Sequence, residues 1–216
     1  MRFSRVYLNA KEMKIRTLIF VAAVCTLAGC APKSDGMNTT GQAQSSDTAD
    51  ITKLPDNIEL WTEQAVNNAA QSRLRSIYAD VFAWYSKAED DPSVLSQSPD
   101  FEARYMSASY NELFRKVNAL DECQAQKGLV GFFDYDHWVC GQDFQGLAMH
   151  VVSGIWQGND RYSAEIVVRN CGTDHRVRVS LVFENGEWKI DDLCSDDAVW
   201  SEKNAMSHYV EREKCN

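Results

Sequence analysis

The sequence lacks the short motifs that identify many enzyme classes. It contains no G-x-S-x-G, no phosphate-binding P-loop, no dinucleotide-binding glycine fingerprint and no H-E-x-x-H. The sequence therefore gives no motif support for a serine hydrolase of this type, a nucleotide-binding enzyme or a zinc peptidase. Its 4 Pro and 11 Gly are too few for a collagen-like or low-complexity chain. The composition is that of a globular protein, with 44% hydrophobic and 25% charged residues.

Basic charge and long apolar runs are also scarce. Acidic residues outnumber basic ones by 31 to 22, which gives a net charge of −9. We therefore expect no nucleic-acid partner, because neutralising phosphates requires clustered Lys and Arg. The longest apolar run, residues 18–27, is about half of the ~20 residues that a membrane-spanning helix needs. The chain is not expected to contain a membrane-spanning anchor.

The N-terminus carries the features of a secretory signal instead. Lys14 and Arg16 precede the apolar run, and Leu27-Ala28-Gly29-Cys30 follows it. That tetrapeptide resembles the bacterial lipobox, in which the cysteine is lipidated and becomes the mature N-terminus. We predict a lipoprotein signal peptide over 1–29, with translation starting at Met13 and lipid attached to Cys30. The alternative is an ordinary cleaved signal with an incidental cysteine.

The signal sequence also predicts where the mature protein resides. Ala31 follows Cys30, which by resemblance to Gram-negative lipoprotein sorting implies delivery to the outer membrane, facing the periplasm. Exposure on the outer surface remains an alternative. Residues 1–29 carry five basic residues and one acidic residue, so their removal brings the net charge from −9 to about −13. Lipid, rather than attraction to anionic headgroups, is the expected membrane contact.

Residues 30–58 differ in composition from the rest of the chain. They are rich in Ser, Thr, Gly, Gln, Asn and Asp and poor in large apolar residues, which predicts a flexible tether. Residues 59–216 are expected to form a single domain. Within it, Leu74, Ile77, Val81 and Trp84 recur at helical spacing. A second helix is expected to start at a capping box, Ser109-x-x-Glu112, and a short last helix covers about 201–213.

From about residue 130 the apolar period changes to two. Alternating residues predict strands over 147–156, 162–168, 177–183 and 188–190, with Asn185-Gly186 as a two-residue hairpin loop. Both phases of the first strand are apolar, so we expect that strand to be covered on both sides. The predicted fold class is α+β, with N-terminal helices packed on a curved antiparallel meander sheet and a short C-terminal helix.

Several of these elements together resemble a known architecture. The ending Gly186-Glu187-Trp188-Lys189-Ile190-Asp191-Asp192 resembles the last strand of nuclear-transport-factor-2-like domains, which have a cystatin-like cone. The lipobox, Phe133-Asp134-Tyr135-Asp136 and Gln142-Asp143 resemble a domain of unknown function in bacterial lipoproteins. The resemblance covers about 70–195 and implies the cone fold and an envelope location. It implies no activity, because members range from enzymes to plain binding modules.

The most concentrated polar groups lie between residues 134 and 143. Asp134, Asp136, Gln142 and Asp143, with Trp138 beside them, are the candidate ligand-binding residues. The three carboxylates could coordinate a hard cation such as Ca²⁺, and no other cofactor is expected. A carboxylate pressed against another could also act as an acid or base. The alternative is that these acids cap loops and accept backbone N–H bonds. The surrounding aromatic residues could likewise line a pocket or fill the core.

Seven cysteines are present without a C-x-x-C pair. Cys25 leaves with the signal and Cys30 takes the lipid, so five remain for an oxidising compartment, where disulfides are the usual state. Hairpin geometry places Cys171 and Cys194 at the same end of the middle strand, provided that both strand ends curl. We expect Cys171–Cys194, then Cys123–Cys140, with Cys215 left over.

These observations favour a non-enzymatic envelope lipoprotein whose domain binds a small molecule, a glycan or a protein. One alternative is an isomerase- or hydrolase-type enzyme that uses Asp134 or Asp136 as a general base. Another is an inhibitor or immunity protein whose acidic surface blocks a basic partner. The hypotheses differ in whether the interior is hollow or filled.

Overall fold

The computed structural model describes residues 61–195 and 200–214. The signal peptide, the start at Met13, the lipidated Cys30 and the tether all lie outside the described residues, as does Cys215. Within the described ranges, no helix is long and apolar enough to cross a membrane.

The first helix, α1 (Glu63–Asp90), forms the long spine that the apolar spacing predicts. Its Thr62 hydroxyl caps the start by accepting from the Ala65 N–H at 3.2 Å. At the other end, the Asp91 N–H donates to the Lys87 carbonyl at 2.9 Å. Pro92 then opens a short 3₁₀ turn, Pro92–Gln97, because proline cannot continue the helix hydrogen bonds. One face of α1 is buried along its whole length: Val66, Ala70, Leu74, Ile77, Tyr78, Val81, Trp84 and Tyr85.

Two further helices follow, α2 (Phe101–Tyr105) and α3 (Ala108–Gln126). The predicted cap of α3 is wrong by two residues: Ser107, not Ser109, accepts from the Tyr110 N–H, at 3.0 Å. Ser107 is fixed in place because its N–H donates to the carbonyl of Ile190, 2.8 Å away in the last strand. A distant backbone contact therefore decides where the helix begins.

The sheet is an open antiparallel meander in the order β1-β2-β3-β4. Its strands are β1 (Ala148–Trp156), β2 (Arg161–Asn170), β3 (Thr173–Glu184) and β4 (Glu187–Ser195). Asn185 and Gly186 form the predicted hairpin loop, with φ of +54° and +81°. The chain ends its described part with α4 (Glu202–Arg212). The α+β class, the helix-first order, the meander and the short last helix are confirmed.

The sheet has one buried and one open face. On the inner face, alternate residues of the strands are fully buried: Tyr162, Ala164, Ile166, Val168, Val179, Leu181 and Ile190. Helix α1 lies against this face, where Gln71 Nε2 donates to the Tyr162 hydroxyl at 3.1 Å. On the other side, Val152 and Ile155 of β1 are 46% and 60% exposed. The expectation that β1 is covered on both sides is therefore wrong.

Neither expected disulfide is present in the structure. Cys140, Cys171 and Cys194 are free thiols, and Cys123 is disulfide-bonded, with no described cysteine as its partner. Cys140 lies in the loop before β1, where its thiol points at the carbonyl of His137, 3.9 Å away. Burial raises the pKa of Cys140 to about 12, so its thiol is neutral at physiological pH.

The strand register explains why Cys171 and Cys194 do not pair. Asn170, the last residue of β2, pairs with Thr173, the first residue of β3. Cys171 therefore lies in the tight turn between these two strands. Cys194 pairs with Arg178, which lies five residues further along β3, or roughly 17 Å away. The register shift at Ser180 moves Cys194 by one residue, and most of the separation comes from the tight turn that holds Cys171. That separation is far beyond the ~7 Å at which two Cα atoms can be bridged.

Gly154 provides a test of how tightly the inner face is packed. A Cβ at this position would lie 2.0 Å from the Tyr162 hydroxyl oxygen. We expect Gly154→Ala to destabilise the protein by about 1–3 kcal/mol, because the ring or the strand must shift. Thermal denaturation measures the change, with Ser153→Ala on the exposed face as the control. In a Tyr162→Phe background the penalty should shrink, and an unchanged melting temperature for Gly154→Ala would contradict the close contact.

Candidate functional site

The candidate residues lie in the loop 131–146, which connects α3 to the sheet. Asp136 and Gly141 form an isolated antiparallel bridge, with N···O distances of 2.9 and 3.2 Å. Gln142 Nε2 donates to the carbonyl of Asp134 at 2.9 Å, which closes the loop from within. Asn170 of β2 holds it from outside, since its Nδ2 donates to the carbonyl of Asp143 at 2.7 Å. The side-chain amide of Gln142 is thus engaged in a hydrogen bond to the backbone of its own loop.

The three carboxylates of the loop have different surroundings. Asp134 and Asp143 are exposed, whereas Asp136 is turned into the protein. Asp136 accepts the hydroxyl of Tyr85 on one oxygen and the Trp138 N–H, at 2.9 Å, on the other. Burial raises the pKa of Asp136, while the charge of His137 and these hydrogen bonds oppose the increase.

The loop does not assemble a metal centre. Among residues 61–195 and 200–214, no three His, Cys, Asp or Glu side chains are grouped so that they could hold a metal ion. Calcium binding by Asp134, Asp136 and Asp143 stays a prediction from the sequence, without support from the geometry.

Trp138 is part of the core. It is 2% exposed, and its ring packs edge-on against Tyr78, Phe101 and Tyr105 at centroid distances of 5.9–6.4 Å. Its indole N–H donates to Glu102 Oε1 at 2.9 Å. A ligand could reach this ring only if the aromatic cluster opened.

A buried charged group that the sequence did not reveal lies next to Trp138. The His137 ring stands between two carboxylates, with Nδ1 3.1 Å from Glu202 Oε1 and Nε2 3.4 Å from Glu102 Oε1. Glu102 is 1% exposed and Glu202 is fully buried. We call Glu102, His137 and Glu202 the ion triad. Its members come from α2, from the loop and from the first turn of α4, so the triad joins three separate segments.

The ion triad contains a charged imidazole. Burial alone would lower the pKa of His137, but the charge of Glu202 and the contacts with both carboxylates raise it well above the usual value. His137 is therefore an imidazolium at neutral pH. The second carboxylate oxygens, Glu102 Oε2 and Glu202 Oε2, accept no hydrogen bond from the described residues. The triad is nevertheless closed to solvent, so it can hold a proton and orient the loop, but it offers no entry for a substrate.

A second cluster of charges lies around Asp191 of β4. Its carboxylate accepts from the hydroxyls of Ser107 and Ser109, at 2.6 and 2.8 Å, and from the ammonium group of Lys203, at 2.9 Å. Arg161 donates to its other oxygen at 2.7 Å. Burial opposes ionisation, but the hydrogen bonds from Ser107, Lys203 and Ser109 lower the pKa of Asp191 to about 2. The carboxylate is fully partnered and serves as a structural anchor.

Two open clefts are found on the surface of the described part. One, of about 350 Å³, borders the Asp191 cluster and includes Arg161 and Asp192. The other, of about 670 Å³, lies on the open face of the sheet and is lined by residues of β1, β2 and β3: His150, Val152, Val167, Asp174, His175 and Arg176. None of the candidate residues of the loop 131–146 lines either cleft.

No known protein family, curated protein or solved structure matches this chain. The assignment of a site therefore depends on the geometry of the described residues alone.

The ion triad predicts an unusual titration. We expect both ring nitrogens of His137 to keep the ¹⁵N chemical shifts of an imidazolium from about pH 6 to pH 8, where a solvated histidine titrates. Replacing Glu202 removes one of the two charges that hold the proton, so Glu202→Gln should lower the pKa of His137. Glu211→Gln, on the exposed side of the same helix, is the control. Titration of wild-type His137 near pH 6.5 would contradict the ion triad.

The same shift makes the stability of the protein depend on pH. Since the pKa of His137 is higher in the folded state than in the unfolded chain, the imidazolium contributes fully below about pH 6.5. Its contribution then falls as the pH rises toward the folded-state pKa. At neutral pH, His137→Gln should cost about 3–5 kcal/mol of unfolding free energy, because it leaves two buried carboxylates without their cation. Urea denaturation of this variant and of Glu211→Gln measures the difference.

Proposed function

We propose that this protein is a lipoprotein of the bacterial outer membrane whose domain is a non-enzymatic binding module facing the periplasm. The lipobox at Leu27–Cys30 and the tether-like composition of residues 30–58 support the anchoring. The helix-first α+β order and the four-stranded meander support a cystatin-like cone of the nuclear-transport-factor-2-like type.

One observation carries the binding function. The polar groups suited to catalysis are engaged inside the domain: the ion triad is sealed, and Asp136 is bonded to Tyr85 and Trp138. The interior between α1 and the loop is filled with aromatic rings. By contrast, the open face of the sheet presents a broad cleft beside the exposed side chains of Val152 and Ile155. Exposed apolar residues bordered by charges are typical of an interaction surface.

The enzyme hypothesis keeps one supporting observation. The raised pKa of Asp136 is what a general base needs. A base must also reach its substrate, and both carboxylate oxygens of Asp136 already hold protein donors. The inhibitor hypothesis depends on the acidic net charge of −9, which would favour a basic partner.

The anchoring can be tested on Cys30 directly. Cells that produce the protein are labelled with radioactive palmitate, and the label on the purified protein is measured. We expect Cys30→Ser to abolish both the label and the recovery in the membrane fraction. Cys25→Ser, within the signal peptide, should leave both unchanged. An unlabelled wild-type protein, or a labelled Cys30→Ser variant, would refute lipidation at this residue.

The binding surface can be tested by photo-crosslinking in living cells. A benzoylphenylalanine introduced at Val152 should form a covalent adduct with whatever occupies the sheet face. The same group at Val130, which is 81% exposed in the loop before β1, is the control. We expect a discrete adduct of higher mass from position 152 that position 130 does not give. Equal adducts, or none, would argue against the sheet face as the binding surface.

A further inference from the structure

Helix α4 completes the ion triad but buries little apolar surface of its own. Of its 11 residues, the buried ones are Glu202, which belongs to the triad, and Met206. An isolated helix of this length is marginal in water, so its position depends on what holds it to the rest of the domain. Its start is held by Ser201 and Lys203, whose side chains donate to carboxylates of β4 at 2.6 and 2.9 Å. The opposite end requires contacts of its own.

The far end of α4 lies against the end of α3. The Tyr209 hydroxyl donates to Asp121 Oδ1 at 2.8 Å. About one turn further along both helices, Gln124 Nε2 donates to Glu213 Oε2 at 3.1 Å. Because both contacts advance in the same direction along the chain, the two helices run side by side and end close together.

Two cysteines of the sequence adjoin this last contact. Cys123 precedes Gln124 in α3, and Cys215 follows Glu213 by two residues. Two residues of extended chain span roughly 7 Å. The Cα atoms of a disulfide lie about 4.4–6.8 Å apart. The contact between Gln124 and Glu213 therefore leaves Cys215 within reach of Cys123.

The cysteines that are already accounted for point to the same pair. Cys123 is disulfide-bonded, and three other cysteines of the described part are free thiols. Its partner among the seven cysteines of the chain is therefore Cys25, Cys30 or Cys215. In the proposed lipoprotein, Cys25 leaves with the signal peptide and Cys30 carries the lipid, and the inference rests on the proposed function in this step alone. Cys215 is the cysteine that remains.

We propose that Cys123 and Cys215 form a disulfide that holds the end of α4 against α3 and so keeps the ion triad closed. The S–S bond forms as two S–H bonds break, and the two electrons and two protons pass to the disulfide of a thiol–disulfide exchange protein. One thiolate attacks that disulfide, the second thiolate displaces the resulting mixed disulfide, and the exchange protein leaves as a dithiol. Cys215 is then a paired residue and not the odd thiol that the sequence predicts.

Two of the free thiols compete poorly for such an exchange. Burial raises the pKa of Cys140 to about 12 and the pKa of Cys194 to about 11. Since the thiolate is the attacking form, both side chains are neutral and unreactive at physiological pH. Cys171 is exposed in the turn between β2 and β3, and it is the free thiol that a reagent in solution reaches.

Peptide mapping of the mature protein identifies the pair directly. The protein is isolated from membranes after acid quenching, alkylated in denaturant and digested without reductant. We expect one linked pair of peptides, which contain Cys123 and Cys215, and alkyl groups on the three free thiols: Cys140, Cys171 and Cys194. An alkylated Cys123, or Cys123 linked to any other cysteine, would overturn the proposal.

The same digest separates this proposal from the anchoring. A linked pair of Cys123 and Cys215 together with an alkylated, lipid-free Cys30 would refute lipidation and support the disulfide. A lipidated Cys30 together with an alkylated Cys123 would refute the disulfide and leave the lipoprotein standing.

Serine variants measure what the bond contributes. Cys123→Ser and Cys215→Ser should each lower the melting temperature by about 5–10 °C, the size expected for the loss of one disulfide. The double variant should show no larger shift than either single variant, because both substitutions remove the same bond. Cys171→Ser is the control and should leave the melting temperature unchanged. Additive shifts of the two single variants would contradict the pairing.

Hydrogen exchange tests whether the bond holds α4 in place. In Cys215→Ser, the amides of α4 should exchange about tenfold or more faster than in the wild type, at times when the amides of β3 are still protected in both proteins. Cys171→Ser should exchange like the wild type throughout. Equal exchange of α4 in Cys215→Ser and the wild type would show that the bond does not hold the helix, and would overturn this part of the proposal.

Discussion

The domain depends on a single imidazolium held between two buried carboxylates. Without the charge on His137, Glu102 and Glu202 would be two buried carboxylates with no cation beside them. The triad also joins three separate segments: the short helix α2, the loop before the sheet and the start of α4. The aromatic packing around Trp138 is linked to the triad, because the indole N–H of Trp138 donates to the carboxylate of Glu102.

Much of the fold could be predicted from the sequence, because helical spacing and strand alternation are local signals. The long helix, the four strands and the Asn185-Gly186 turn follow from them. Features decided by distant contacts could not be predicted. The cap of α3 is Ser107 rather than Ser109 because Ile190 lies against it in the folded chain. The pairing of Asn170 with Thr173, which holds Cys171 in a tight turn far from Cys194, leaves no clear sign in the sequence.

The site was predicted only in part, for the same reason. The loop 131–146 is conspicuous in the sequence, but its acids look alike until their partners are known. Asp136 meets Tyr85, 51 residues earlier, and His137 meets Glu202, 65 residues later. Glu102 and Glu202 are acids in short helices, where acids are normally solvated. Their one local feature is a position in the first turn of a helix. An acid at that position is as typical of a solvated capping residue as of a buried charge.

The wide sequence separation of the ion triad imposes an order of assembly. A chain that emerges N-terminus first presents Glu102 and then His137, while Glu202 arrives only after the whole meander. Closing a loop of 65 residues is entropically costly, so this contact forms late and requires the sheet to bring its ends together. Until then, Glu102 is the only member of the triad that can pair with His137, and the ring nitrogen that meets Glu202 has no carboxylate beside it. Completion of the sheet and completion of the triad are thus the same event, and a partly made chain has neither.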